Sequence, residues 1–372
     1  MRPLRLIHIT PELPPTIGGV ADYTAILTRR LVEESSGTIE PILVHAGCEN
    51  ADSFAVEFPV RDLSGSCSAS VLASTIRDLA GAHSTTVVVL QYANYGYAPS
   101  GVPLWLVRGL RRVCGAQKIP LIAMVHELYA TGPPWSRAFW YSVPQRFTGG
   151  WLSSGAQQLI TNHEEAATRL ARYRENGRTD VRVQPVFSNV GEPDERPPFD
   201  TRAFQAVAFG GGGKKRQIYR GHPQVFRYLF DRHDFEKIID IGPFGSFDVP
   251  DGEKVTVCGI LSPETISRKL AASALGLIAY PSTRLSKSGG AAAMASHGVP
   301  FILFDEDESE SAAPYEEGTH FWRWSTLEKS PDRFTRKRLK SMSQEIRSLY
   351  EDRMHSRSAA ECFLEAICDT LQ

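Results

Sequence analysis

No two cysteines stand at the C-x-x-C spacing of a zinc or redox site. The six of them, Cys48, Cys67, Cys114, Cys258, Cys362 and Cys368, are scattered along the chain. A disulfide framework or a structural zinc site needs tighter clustering, so they read as reduced, mostly buried thiols of a cytosolic protein. No stretch approaches the ~18 uncharged apolar residues of a membrane span. Residues 1–15 hold two arginines and a short apolar run broken by prolines, which makes neither a signal peptide nor a span. The expectation is a soluble, cytoplasmic protein, with peripheral contact to the inner face of a membrane left open. A net charge of −1 gives no overall pull toward nucleic acid. Repeats and low-complexity tracts are absent. The P-loop pattern fails because Ala208 and Lys215 stand where Gly and Ser or Thr are needed, and G-x-G-x-x-G fails at Lys215.

What is there is a chain of 372 residues, 42% apolar and 22% charged, the balance of a globular protein with two domains of roughly 150–190 residues each. Short apolar, β-branched runs alternate with longer amphipathic segments, which predicts βα units and parallel sheets. Strands are expected at 4–9, 42–44, 87–90, 121–125, 159–161 and 181–186. Asn162 and Glu165 form a capping box for the helix after the fifth. Residues 188–201, with three prolines, a glycine and several charges, read as an exposed connector. The pattern restarts with strands at 206–209, 238–241, 255–257, 275–280 and 299–304. A helix covers 262–274, an Ala-rich helix ends at Gly298, and 333–372 is helical. The domains are therefore expected at 1–190 and 205–350, with a linker at 191–204 and a last helix at 351–372. Ligands of such sheets bind outside the carboxyl ends of the strands.

Four loops after strands carry candidate chemistry. Gly18, Gly19 and Val20 follow the first strand and open a helix, so their amides suit an anion or a hydroxyl-rich ligand; a tight turn has the same composition. His126 and Glu127 end a middle strand, where they are either structural or hydrogen-bond sugar hydroxyls and move protons. Tyr129 follows, and 132–134, Trp135, Phe139 and Trp140 are expected to make an aromatic-rich loop able to stack on sugar rings or simply to pack. Four glycines at 210–213 precede Lys214, Lys215 and Arg216, with Arg220 beyond; exposed amides and cations neutralise phosphate, or the loop is only solvated. Lys287, Ser288, Gly289 and Gly290 open the Ala-rich helix, and a lysine and a hydroxyl at a helix N-terminus suit a diphosphate.

Taken together these residues resemble the retaining family-four glycosyltransferases of the GT-B fold. The resemblance rests on Gly-Gly-Val-Ala-Asp-Tyr at 18–23, Val-His-Glu at 125–127, Ile-Thr-Asn-His-Glu-Glu-Ala at 160–166, Tyr-Pro-Ser at 280–282 and Ala-Met-Ala-Ser-His-Gly-Val-Pro at 293–300. It implies an α/β fold of two Rossmann-like domains whose parallel sheets face an interdomain cleft. The donor would be held mainly by the second domain, and a C-terminal helix would cross back to the first. It also implies transfer with retention from a nucleotide-sugar, without a metal or other cofactor, to a carbohydrate or lipid-linked saccharide acceptor, as in polysaccharide biosynthesis. Gly18 and Gly19 would border the donor phosphate and acceptor, and His126 would contact the donor sugar. Lys214, Lys215, Arg216 and Arg220 are the candidates for the family's basic residue. The family's Glu-x7-Glu is missing: Arg284 and Ala292 stand at those positions. Lys287 and Ser288 would then supply phosphate binding, as in a bacterial subgroup with Lys-Ser-Gly here. A catalytically inactive GT-B binding or scaffold protein and a GT-B nucleotide-sugar epimerase are the alternatives.

Overall fold

Parallel strands buried on both faces require continuous apolar runs rather than alternation, and such runs build the two sheets of this chain. The computed structural model describes residues 3–48, 53–81, 85–115, 119–130, 135–174, 180–193, 195, 197–243, 245, 254–305 and 311–371. Two compact units emerge, Met1–Gln184 with Ser356–Gln372, and Pro185–His355.

The first unit has strands β1 (Leu4–Thr10), β2 (Ile39–His45), β3 (Val60–Asp62), β4 (Thr86–Ala93), β5 (Leu121–Glu127), β6 (Gln158–Thr161) and β7 (Arg182–Val183). They form one sheet in the order β3-β2-β1-β4-β5-β6-β7, with every pair parallel. Its helices are α1 (Gly19–Glu34), α2 (Ala69–Ala80), the single turn α3 (Asn94–Tyr97), α4 (Leu104–Leu110), α5 (Arg137–Gly155) and α6 (Glu164–Ala171). The second unit has β8 (Ala203–Phe209), β9 (Ile238–Ile241), β10 (Val255–Val257), β11 (Ser273–Ala279), β12 (Phe301–Phe304) and β13 (Phe321–Arg323). Their order is β10-β9-β8-β11-β12-β13, again all parallel. Around them lie α7 (Gly212–Gly221), α8 (Gln224–Arg227), α9 (Pro263–Ala271), α10 (Gly289–Ser296), α11 (Trp324–Lys329) and α12 (Arg336–Arg353). The last helix, α13 (Ser356–Leu371), belongs to the first unit and packs on α1 through buried Ala359, Ala360, Phe363 and Ile367. Burial of these groups, more than the surface pairs Arg182–Glu365 and Arg357–Glu34, holds it there.

Several expectations need correction. The chain leaves the first unit at Gln184, before the linker expected at 191–204, because 185–190 are bonded into the second unit. There the Val186 amide donates to the Ser286 carbonyl at 2.9 Å and the Ser188 amide to the Tyr350 hydroxyl at 3.0 Å. The second unit also runs on to His355. The strand at 181–186 shrinks to β7. No capping box forms at 162–165: His163 is the N-cap of α6 without a side-chain bond, and buried Asn162 bonds the His163 ring instead. Of the cysteines only Cys114 is buried; Cys48 and Cys368 are exposed. Gly298 closes α10 with φ +62 as expected, a conformation that glycine adopts without strain.

In both sheets the winding reverses once, between β1 and β4 in the first unit and between β8 and β11 in the second. The carboxyl end of such a switch point is the natural crevice of an open parallel sheet.

Candidate functional site

At the β8/β11 switch the loop after β8 begins with Gly210 at φ +145, and Gly242 at φ +101 sits against the Gly210 carbonyl. A Cβ on Gly242 would lie 2.6 Å from that oxygen and one on Gly212 would lie 2.9 Å from the Gly245 amide, so this close backbone approach requires glycine. α7 then starts, and Lys214 in its first turn lays its ammonium 3.7 Å from the centre of the Tyr280 ring, just beyond β11. From the other side comes a 3₁₀ turn, Ser282–Lys287, which leads into Ser288, the N-cap of α10. The Ser288 hydroxyl accepts from the Ala291 amide at 3.3 Å. Gly290 lies close to the Phe209 carbonyl at the end of β8, which ties the two loops together. Although the Lys214 residue as a whole is exposed, desolvation of its ammonium and then the neighbouring Lys287 ammonium pull it down to about 8. Two cations held close enough to repel, beside the amide end of α10, form a site that an anion of two or more charges relieves.

The structure separates the remaining cations. Lys215, read from the sequence as a phosphate ligand, points the opposite way from Lys214. Its ammonium is buried, donating to Asp240 Oδ1 at 2.5 Å and to the carbonyls of Ile241 and Gly242. Asp240 accepts a second bond from the Tyr219 hydroxyl at 2.8 Å. Consecutive helical residues are turned by about 100°, so one lysine lines the site and the next ties α7 to β9. Arg216, the next residue, is exposed. Arg220 lies in the last turn of α7, eight residues from its start and so about 12 Å down the axis, away from the loop that opens the helix. Arg284 sits half-buried in the 3₁₀ turn and Ala292 is wholly buried in α10.

At the β1/β4 switch the first unit assembles a different chemistry. His126, at the end of β5, is buried and bonds through Nε2 to Gln91 Oε1 at 2.7 Å. The Gln91 amide nitrogen lies 2.7 Å from His8 Nε2, and His8 Nδ1 lies 2.8 Å from the Thr28 hydroxyl, which itself donates to the Thr24 carbonyl. One proton placement satisfies this chain. Thr28 donates onward, so His8 Nδ1–H donates to it; Gln91 donates to His8 Nε2 and accepts from His126 Nε2–H. Neutral His8 agrees with its burial, which, with His126 nearby, depresses its pKa to about 3. His126 therefore carries a proton on Nε2 and donates it to Gln91. Gln91 and His8 were not singled out in the sequence, although a Gln ending the run Val-Val-Val-Leu and a His inside β1 are buried polar groups of the kind that need partners.

Gly18 is the N-cap of α1, but the face where its Cβ would stand is occupied by the Glu12 carboxylate. Asp22, in the first turn, is raised to about 6 by burial and then by Glu12. The glycine pair expected at a donor phosphate therefore carries acidic neighbours. Glu127 is exposed. Tyr129, read as a sugar platform, has the guanidinium groups of Arg146 and Arg169 at 4.7 and 5.5 Å from its ring centre, so that ring is engaged in packing. Trp135 is 85% exposed, but Phe139 and Trp140, expected in the same loop, lie in the first turn of α5; residues 131–134 lie outside the described residues. Among the described residues no group of three or more His, Cys, Asp or Glu is arranged to hold a metal ion.

No family model matches the chain, and no curated protein matches it in sequence. Solved structures match in shape. A glycosyltransferase from Rickettsia africae ESF-5 aligns with TM-score 0.63 and 10% identity over 100% of both chains. Trehalose-6-phosphate from E. coli bound with UDP-2-fluoro glucose aligns with TM-score 0.62 and 11% identity over 98% of both. A putative UDP-N-acetylglucosamine 2-epimerase from Listeria monocytogenes aligns with TM-score 0.61 and 13% identity over 98% of this chain and 96% of that one. At such identity the likeness shows the fold: a two-domain α/β fold of the GT-B type along the whole chain.

Proposed function

We propose that this chain is a nucleotide-sugar-dependent glycosyltransferase that moves a hexosyl group to a carbohydrate or lipid-linked saccharide acceptor, with retention and without a metal, in polysaccharide biosynthesis. The observation that carries the reading is the Lys214–Lys287 pair beside Ser288 and the amide end of α10. In this reading the pair holds the donor diphosphate. As the glycosidic bond breaks, charge grows on the leaving diphosphate, and two fixed ammoniums with preorganised amides stabilise it more than they stabilise the ground state. His126, held by its bond to Gln91, meets the donor sugar, and Glu127 lies beside it in sequence as a second polar contact. The protein from E. coli bound with UDP-2-fluoro glucose has the same fold, which makes uridine diphosphates the first donors to try.

The test is a thermal-shift screen over nucleoside diphosphates and their sugars, with slow nucleoside diphosphate release as the activity readout. One nucleotide should raise the melting temperature by mass action. Lys287→Ala should weaken it by ~10–150-fold, since a bond to a charged group contributes ~1.5–3 kcal/mol, and should abolish release. A folded protein that no nucleotide shifts would overturn the reading. The fold shared with a putative epimerase favours a second reading, told apart by reversible interconversion of the nucleotide-sugar without acceptor. Binding with no turnover of any kind would point instead to an inactive scaffold, which Arg284 and Ala292 at the family's carboxylate positions favour.

A further inference from the structure

Helix α5 buries one side against β5, α4 and α6 and leaves an apolar stripe on the other. Trp140, Val143 and Phe147 recur at helical spacing and are 70%, 63% and 53% exposed. Trp151 continues the stripe one turn on, its ring 4.6 Å from that of Phe147. A soluble helix normally turns charged residues to water on this side, and contiguous apolar surface of this kind marks an interaction site. Beside Trp151 lies an open hollow of about 350 Å³, lined by Val107, Leu110 and Leu152 but also by Arg111, Gly115 and Ser154. At its rim the Arg111 guanidinium stands 4.8 Å above the Trp151 ring.

Along the sequence, the segment that carries the stripe is rich in cations. Between Asp78 and Glu164 the sequence has a single carboxylate, Glu127, against Arg108, Arg111, Arg112, Lys118, Arg137 and Arg146. That makes five net positive charges, six less one, in a chain that is otherwise balanced at −1. Arg108, Arg111, Arg112 and Arg146 are exposed. Tryptophan and phenylalanine seat at the boundary between headgroups and acyl chains, and arginine stems lie along apolar surface while their heads reach anions. A sugar or a nucleotide needs polar partners that the stripe does not offer. Among the described residues no helix is long and apolar enough to cross a membrane, so contact of this kind would be made from the aqueous side.

We propose that the α4–α5 face docks the protein on a bilayer surface bearing anionic lipid headgroups, with Trp140, Val143 and Phe147 entering the interface. This stands apart from the glycosyltransfer reading, because docking is measured without donor or acceptor. The full chain is floated with phosphatidylcholine vesicles, with and without phosphatidylglycerol. Binding is expected only with phosphatidylglycerol, and high salt should release it. Arg108→Gln with Arg112→Gln should weaken it by about fivefold per charge removed. Trp140→Ser with Phe147→Ser should abolish it with an unchanged melting temperature. Quenching of the wild-type tryptophan emission by brominated acyl chains gives a readout that needs no variant. Absence of flotation and quenching would overturn the proposal. So would a dimer in solution that the Trp140→Ser, Phe147→Ser variant dissociates, since the face would then belong to a second copy.

Discussion

The two switch points share a topology and differ in charge. At β8/β11 two lysines and the amide end of an eight-residue helix face a crevice whose loops are closed by glycine-to-glycine packing. At β1/β4 a glycine pair opens α1 in the same topological place, but Glu12 and Asp22 flank it and a His–Gln–His chain stands behind. The same fold element has been given opposite electrostatics. Parallel-sheet topology fixes where a ligand binds, while the side chains of the first helical turn decide which sign of charge it carries. In the proposed reading the second unit takes the diphosphate and the first takes hydroxyl groups.

The comparison breaks first, and most severely, if Lys215 is only another surface cation. Lys215→Ala leaves Asp240 buried and unpaired, which costs ~3–5 kcal/mol; a lowered urea midpoint measures it. Lys214→Ala, one residue away, should leave that midpoint nearly unchanged and lose nucleotide affinity instead. Equal stability effects would undo the division between the two lysines.

That division was not legible in the sequence. Lys214-Lys215-Arg216 reads as one basic cluster, and only the start of α7 at Gly212 fixes which side chain turns to β9. The strands were legible because buried parallel strands are uninterrupted apolar runs, as in Val87–Leu90 of β4. The short edge strands β3, Val-Arg-Asp, and β13, Phe-Trp-Arg, were missed, since three residues carry no period. α5 was missed for the reason that makes it interesting: Ser142, Gln145, Thr148 and Ser153 are buried while Trp140, Val143 and Phe147 are exposed, which inverts the apolar period of an ordinary surface helix. The motif residues Gly18, His126 and Ser288 were found, but Gln91 and Glu12 act through space on them, and spacing along the chain does not reveal such partners.

A smaller effect sharpens the cationic side. With Lys214 at about 8, the site loses a charge as pH rises through that value, so nucleoside diphosphate affinity should fall by up to about tenfold between pH 7 and 9. Lys214→Arg keeps its charge over this range and should flatten the profile. A wild-type profile without slope, measured by titration calorimetry, would mean that Lys214 does not face the phosphates.

The smallest effect tests the acidic side. Asp22 lies at about 6 when folded against the ordinary aspartate value of 3.8, so between roughly pH 4 and 6 the native state keeps a proton that the unfolded chain has released. Stability therefore falls as pH rises through that window and stays lower above it. The helix dipole at the start of α1 favours a negative Asp22, yet desolvation and the Glu12 carboxylate outweigh it, as the upward direction requires. Asp22→Asn removes the conflict. Allowing for solvent screening of a carboxyl that is partly exposed, the gain is about 1 kcal/mol above pH 6, and it should vanish below pH 4. Thermal melts of both proteins at pH 4 and 7.5 measure it. A gain equal at both pH values would trace to packing, and a loss at pH 7.5 would mean that the ionised carboxylate is stabilised, returning the Gly18–Gly19 loop to the same electrostatic class as its counterpart at α10.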